Sequence, residues 1–326
     1  MTRPVYSISI SARATLDMHS LNNEGGEGNQ IQTRMVNIVD QHGRLQNVNA
    51  ISGDMFKHIQ AEHLFRILSE ADGVPLCAGC RQFNANRINA DAGFIAQTAN
   101  DSDADILDKL LQTCAMDDIE GILITEGKRS VPRKSVVEFG WVVGVPGAVE
   151  TDSYFHVKYA AERSAEQRAQ DREAQTTGAN LGQAIFHRPA SSGVYAAVCH
   201  LELARIGFND ITQTYAIDAD QRQQRMAALL QSVLFTFMQP NGAMRSAQAP
   251  HLVDFSGVVT YSTGTVPAPT ISPLKDDYRE QIAALGVSLA QFAPDTVAHI
   301  SFDTLSDFAD VIHELAQGEP YTLHYA

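Results

Sequence analysis

The sequence is short of the features that mark most enzymes, membrane proteins and secreted proteins. It has no GxSxG elbow, no HExxH helix and no Walker loop, so the common short catalytic signatures are missing. No apolar run is long enough to span a bilayer. The opening MTRPVYSISIS alternates and lacks the continuous apolar core of a secretory signal, so a cytoplasmic location is the expectation. Aromatic residues are only 7% of the chain, which argues against an extended stacking platform as the main device. There are four cysteines, Cys77, Cys80, Cys114 and Cys199, and without a secretory signal no disulfide is expected among them. Positive charge is scarce as well: 24 Lys and Arg stand against 38 Asp and Glu, a net charge of −14. A surface that is basic all over is thereby excluded, and this is the main bottom-up objection to nucleic-acid binding.

What is present is a chain of 326 residues with a 44% hydrophobic content, ample for a packed interior. That length points to one large domain with insertions, or to two domains. Charge is unevenly spread. Between Thr125 and Val136 there are four cations, Lys128, Arg129, Arg133 and Lys134, and one anion, Glu126. A narrow basic channel is compatible with an acidic exterior, because salt screens charges beyond roughly 8–10 Å.

The organising stretch runs from Arg13 to Leu64. An alternating segment, Tyr6 to Arg13, reads as a strand leading to a polar, glycine-rich loop from Asn22 to Asn29. A second strand is expected at Met35–Val39, and Ser52-Gly53-Asp54 caps a helix with Met55, Phe56, Ile59, Leu64 and Ile67 on its apolar positions. Strand, open loop, strand and capped helix form the first half of a ferredoxin-like βαββαβ unit. Residues 72–105 are polar and irregular and read as an insertion. A helix at Ile106–Cys114, a buried strand at Ile119–Thr125 and another strand at Ser135–Val143 follow. Two extended arms around a polar tip, within 152–190, suggest a long hairpin. Asp220–Met238 is an amphipathic helix, and Leu252–Tyr261 reads as the last core strand. Residues 266–326 read as a proline-rich arm followed by two short helices and a strand.

Several long phrases carry a family resemblance: LDMHSLNNEGGEGNQIQTRMVNIVD, NAISGDMFKHIQAEHL, DDIEGILITEG, PRKSVVEFGWVVG, FHRPASSGVYA, RIGFND and GAMRSAQAPHL. In this order, from about Tyr6 to about Pro273, they resemble the DevR group of CRISPR-associated proteins. Those are the repeating backbone subunits of type I Cascade surveillance complexes. The resemblance implies an α+β fold: a single RRM-like, ferredoxin-like palm with a finger insertion (72–105), a protruding thumb hairpin (152–190) and a C-terminal arm with helices (266–326). It implies a guide-RNA-binding subunit that is not an enzyme, polymerises on the spacer and presents it to target DNA. The implied partners are guide RNA, target DNA by way of the guide, other copies of the chain and other Cascade subunits, with no membrane.

Candidate contacts can be named by residue. Amide, hydroxyl and guanidinium groups in the first loop, on Asn29, Gln32, Thr33 and Arg34, suit phosphates and the RNA 2′-hydroxyl. From residues alone the same loop could be a solvated glycine-rich turn. Lys57 and His58 stand in the first turns of the capped helix, where a phosphate is favoured; an ordinary solvated face is the alternative. Lys128, Arg129, Arg133 and Lys134 are either a phosphate-tracking loop or a charged hairpin turn, and Arg245 and Ser246 lie in a second polar loop. Cys77-x-x-Cys80 is half of a zinc knuckle. Cys114 could add a third ligand and a His or Asp a fourth, giving structural zinc; the alternative is reduced, partly buried thiols with no cofactor required. The acidic cluster Asp117, Asp118 and Glu120 could bind a divalent ion or form a turn. Duplex-DNA autoregulation, from the group's historical name, and a metal-dependent nuclease using Asp17 or Asp118 are the competing functions.

Overall fold

The strand β1 (Ser7–His19) is the spine of the molecule. Ile8, Ile10, Ala12, Ala14 and Leu16 are all buried on one face, as a period of two requires. The opposite face carries Ser7, Ser9 and Ser11, which are buried too. Serine suits that position because its hydroxyl can satisfy a passing backbone. Ser9 Oγ donates to the carbonyl of Ala268 at 3.0 Å, Ser7 Oγ accepts from the Ala268 N–H at 3.1 Å, and Ser11 Oγ pairs with Thr270 Oγ1 at 3.0 Å. The proline-rich segment after residue 266 is therefore a cover over the sheet, held by hydroxyl-to-backbone bonds.

The structure is a computed structural model and describes residues 3–22, 25–27, 30–127, 129–159, 183–244 and 246–324. After β1 come the short strands β2 (Gly26–Glu27) and β3 (Gln30–Ile31), the hairpin β4 (Met35–Val39) and β5 (Leu45–Ile51), and helix α1 (Gly53–Glu70). The insertion holds α2 (Ala78–Arg81) and α3 (Ala92–Gln97). Helices α4 (Asp103–Thr113) and α5 (Ala115–Glu120) lead to β6 (Ile122–Ile124), β7 (Val131–Arg133), β8 (Val137–Phe139), β9 (Val142–Tyr159) and β10 (Gln183–Leu201). Then follow β11 (Phe208–Asn209), β12 (Thr214–Tyr215), α6 (Ala219–Met238), β13 (His251–Ser262), α7 (Tyr278–Leu289), β14 (Val297–Phe302) and α8 (Leu305–Ala316).

The main sheet has the order β14-β13-β1-β10-β9-β5-β4, with every neighbouring pair antiparallel. The short β8 pairs with the C-terminal end of β10, Val137 opposite Leu201. Helices α1 and α6 pack together on one face, joined by Gln60 donating to Ser232 Oγ at 2.8 Å. Both helices start as their sequences require: Ser52 Oγ accepts from the Met55 N–H, and Asp218 from the Gln221 N–H. Phe56, Phe237, Phe255, Phe302 and Phe308 fill the space beneath them, with Phe237 and Phe255 stacked at 4.7 Å.

Two expectations need correction. The segment Ile119–Thr125 is not one buried strand. Cys114 caps α5, whose helix runs through Glu120, and Gly121 at φ 69° ends it. A Cβ at Gly121 would stand 2.6 Å from the Arg133 carbonyl, so only β6 remains as strand. Likewise Met35–Val39 is a strand, but it forms the far edge of the sheet, remote from β1. Its exposed Met35 and Val39 suit an edge.

The tie between α4, α5, β7 and α6 is a buried carboxylate. Asp118 accepts from Arg133 Nη2 at 2.6 Å, Arg225 Nη1 at 2.7 Å and the Gly207 N–H at 3.0 Å. All three charged side chains are fully buried. Arg133 also donates to the carbonyls of Asp118, Arg205 and Phe208, and Arg225 to that of Leu111. Among the described residues no helix is long and apolar enough to cross a membrane.

Two outcomes follow. Removing one member of a buried ion pair leaves an uncompensated charge, so Asp118→Ala is expected to cost about 3–5 kcal/mol in urea unfolding. His19 is buried against Tyr195, its ring nitrogens have no partner, and burial pulls its pKa down to about 4 from 6.5. The unfolded chain takes up this proton near pH 6.5 and the folded chain near 4. Stability present above pH 6.5 is therefore lost as pH falls towards 4, by on the order of 3 kcal/mol. His19→Phe should melt with a shallower pH dependence than the parent over that interval; an identical dependence would exclude His19 as the cause.

Candidate nucleic-acid interface

The first polar loop is anchored before it opens. Asn22 is buried, donates to the Ala50 carbonyl at 2.8 Å and accepts from the Ser52 N–H at 3.0 Å. That one side chain joins the end of β1 to the end of β5 and the start of α1. Leu21 meets the second polar loop: its carbonyl accepts from the Ala243 N–H at 3.0 Å. The loops approach so closely that a Cβ at Gly242 would lie 2.5 Å from the Leu21 Cα. Both loops also border β10. Gln30 of β3 pairs with His187, and Gln248 Nε2 donates to the Pro189 carbonyl at 3.0 Å. The two loops thus converge beside the long β9–β10 hairpin, whose antiparallel register runs from Ala196–Val143 out to Gln183–Tyr159.

Of the first-loop candidates, Asn29 lies outside the described residues. Gln32 is exposed, and its N–H bonds the Gly25 carbonyl at 3.0 Å. Thr33 Oγ1 accepts from Asn49 Nδ2 at 2.9 Å. Arg34 is half-buried, with its guanidinium carbon 5.8 Å from the centre of the Trp141 ring, an attractive cation–π approach. Trp141 is 46% exposed. Sequence reasoning overlooked it; the signal was the lone tryptophan of the chain directly after Gly140. Phe155 on β9, 59% exposed and edge-on to His187 at 5.9 Å, was overlooked as well. In the second loop Ser246 is exposed, while Arg245 lies outside the described residues.

The cationic turn does not join this convergence as a unit, and the expectation for it is corrected. Arg133 cannot reach a phosphate, because its guanidinium is buried on Asp118 and three carbonyls. Arg129 is engaged by the insertion, donating to the carbonyls of Thr98 and Ala99 at 2.8 and 2.7 Å. Lys134 is exposed and 3.6 Å from Glu138, in a cleft with Ser7, His200 and Glu202. Lys128 lies outside the described residues.

Lys57 and His58 line a separate cleft of ≈ 310 Å³ between α1 and the insertion, facing Phe83, Arg87 and Glu120. Lys57 Nζ donates to Ser135 Oγ at 2.5 Å and the Val137 carbonyl at 3.2 Å, and lies 3.9 Å from Glu120. Burial lowers the Lys57 pKa, against the pull of Glu120, and burial raises that of Glu120. Lys57 is therefore directed inward, a correction to its expected role as a phosphate counter-charge. His58 is exposed, 5.9 Å from the Phe83 ring. Behind this cleft Cys77, Cys80 and Cys114 come together with Asp117, all four buried. Asp17 is half-buried on β1 opposite His251, and Asp118 is held by its arginines.

A relative from Methanocaldococcus jannaschii, described as "CRISPR-associated protein Cas7/Cst2/DevR", is 25% identical over 238 residues, covering 70% of this chain and 72% of the relative. Among solved structures, a chain of a "CRISPR RNA-guided surveillance complex, pre-nicking" superimposes with a TM-score of 0.48 at 14% identity, covering 98% of this chain and 96% of that one. Csc2 of Thermofilum pendens gives a TM-score of 0.41 at 10% identity, covering 97% and 86%. The family model "CRISPR-associated negative auto-regulator DevR/Csa2" matches residues 10–283, and with well over half of its length matched the chain belongs to that family of CRISPR-associated proteins.

Proposed function

We propose that this chain is a non-catalytic RNA-binding scaffold, a backbone subunit of a type I Cascade-like complex. Several copies would line up along the spacer of a guide RNA, alongside other Cascade subunits, and present it for pairing with target DNA. Membership of the DevR/Csa2 family carries the reading. The sheet geometry supports the palm: β1-α1-β8-β10-α6-β13, in the strand order β13-β1-β10-β8, has the connectivity of a ferredoxin-like βαββαβ unit. On this reading 72–105 is the finger and the β9–β10 hairpin is the thumb.

The binding surface is the convergence of the two polar loops at the base of that hairpin. Gln32, Arg34 and Ser246 supply polar groups for backbone phosphate and ribose, and Trp141 offers a ring face to a base. Neither device selects a base sequence, so specificity belongs to pairing by the guide. The acidic remainder of the chain, net −14, disfavours loose association with random nucleic acid. Use of Asp118 as neither nuclease ligand nor general base is supported by its saturation with Arg133, Arg225 and Gly207.

Binding to single-stranded guide RNA should weaken with salt, by a log–log slope of about −0.7 per phosphate contacted. Arg34→Ala and Trp141→Ala should each lower affinity about tenfold, equally for unrelated guide sequences, since stacking on an aromatic is worth about 1–3 kcal/mol per base. Anisotropy titrations with guide RNA and with promoter duplex check this. Tighter binding of the duplex would replace the proposal with autoregulation, and cleavage of guide or target with Mg²⁺ or Mn²⁺ would replace it with a nuclease.

A further inference from the structure

We infer that Cys77, Cys80, Cys114 and Asp117 form a closed structural zinc site that fastens the insertion to the core. Their ligand atoms lie within 4.8 Å of one another, and all four residues are buried. Among the described residues this is the one group of three or more His, Cys, Asp or Glu side chains close enough to share an ion. Tetrahedral zinc with bonds of about 2.3 Å places its sulfurs about 3.8 Å apart, so the set needs only a small contraction.

The local geometry repeats itself on the two sides. Cys77-x-x-Cys80 opens α2, and the Cys77 sulfur accepts from the Cys80 N–H at 3.3 Å. Cys114-x-x-Asp117 opens α5, and the Cys114 sulfur accepts from the Asp117 N–H at 3.4 Å. Each half is a short turn in which a backbone N–H supports the first sulfur as a thiolate and the fourth residue faces back towards it. The carboxylate is aimed inward as well. Asp117 Oδ2 lies 3.4 Å from the Cys77 sulfur and 3.5 Å from the Cys80 sulfur. Its other oxygen has no hydrogen bond and faces Arg87 Nη1 at 3.9 Å.

A dry carboxylate among three thiols is costly unless a cation joins it. Three thiolates and a carboxylate carry four negative charges against two on zinc, and the adjacent Arg87 offsets one more. Soft sulfur in a tetrahedral set selects zinc over magnesium or calcium, and full enclosure leaves no open position for catalysis. Cys77 and Cys80 lie at the start of the insertion, whereas Cys114 and Asp117 lie on the core beyond it. The metal would close the loop between them and hold Phe83 and Arg87 in place across the cleft from Lys57 and His58.

Metal analysis of the full-length protein, purified under reducing conditions without chelator, should find one zinc per chain. Cobalt exchanged into the site should show thiolate-to-metal absorption and the visible bands of tetrahedral coordination. Asp117→Ala and Cys114→Ser should lower zinc affinity at least tenfold, while Cys199→Ser, which lies outside the cluster, keeps it. Chelation should make 72–105 more sensitive to limited proteolysis. Traces of zinc only, both as purified and after dialysis against Zn²⁺, would overturn the inference. So would iron with acid-labile sulfide, a Cys77–Cys80 disulfide in freshly reduced protein, or full zinc affinity in Asp117→Ala. Because these readouts use no RNA, they stand or fall apart from the scaffold reading.

Discussion

Asp118 is the constraint on which the rest of this architecture depends. It is a fully buried carboxylate with two fully buried guanidiniums upon it. An ion triad of this kind contributes little net stability, since desolvation offsets most of the attraction, yet the loss of any one charge is expensive. Its effect here is geometric. Asp118 stands on α5, Arg133 on β7 and Arg225 on α6, and the backbone of residues 205–208 adds bonds to Arg133 and Asp118. Elements far apart in the chain are thereby held to one relative placement. The same helix α5 carries Asp117 one residue earlier, on the side facing the three cysteines. A single turn of helix thus joins the core on one side to the insertion on the other.

The electrostatic problem posed by a net charge of −14 is met by placement. The cations that look most available in the sequence are largely engaged within the protein: Arg133 in the triad, Arg129 on the insertion, Lys57 against β8 and Glu120. What converges beside the hairpin is a different set, mostly amides and hydroxyls together with the Arg34 guanidinium and an exposed indole. Such a surface suits contact with backbone and base faces better than long-range attraction, and an acidic exterior is compatible with it.

The secondary structure was legible where a strong periodicity or a cap announced it. The capped α1, the amphipathic α6, the alternation of β1 and β13 and the two arms of the hairpin all follow from spacing alone. The failures have local physical causes. Ile119–Thr125 reads as a strand because its apolar residues are contiguous; a sulfur cap at Cys114 and a left-handed Gly121 divide it into helix and short strand. The candidate site was legible in part. The two polar loops were found from their composition, but Trp141 is a single residue between β8 and β9 and Phe155 a single residue within β9, and nothing in their spacing separates an outward ring from an inward one.

By itself the sequence determined the class of fold, the family, the absence of a recognisable catalytic motif and three cysteines at candidate spacings, because these depend on residue types and short spacings. Only the tertiary structure decided which charges are free. Whether an arginine meets solvent or a buried carboxylate depends on partners some 15 to 107 residues away, as Arg133 and Arg225 show. The fourth member of the cysteine cluster was decided in the same way, since Asp117 joins Cys77 across 40 residues of chain. Coulomb and coordination energies depend on distance in space, and local sequence pattern carries no record of that distance.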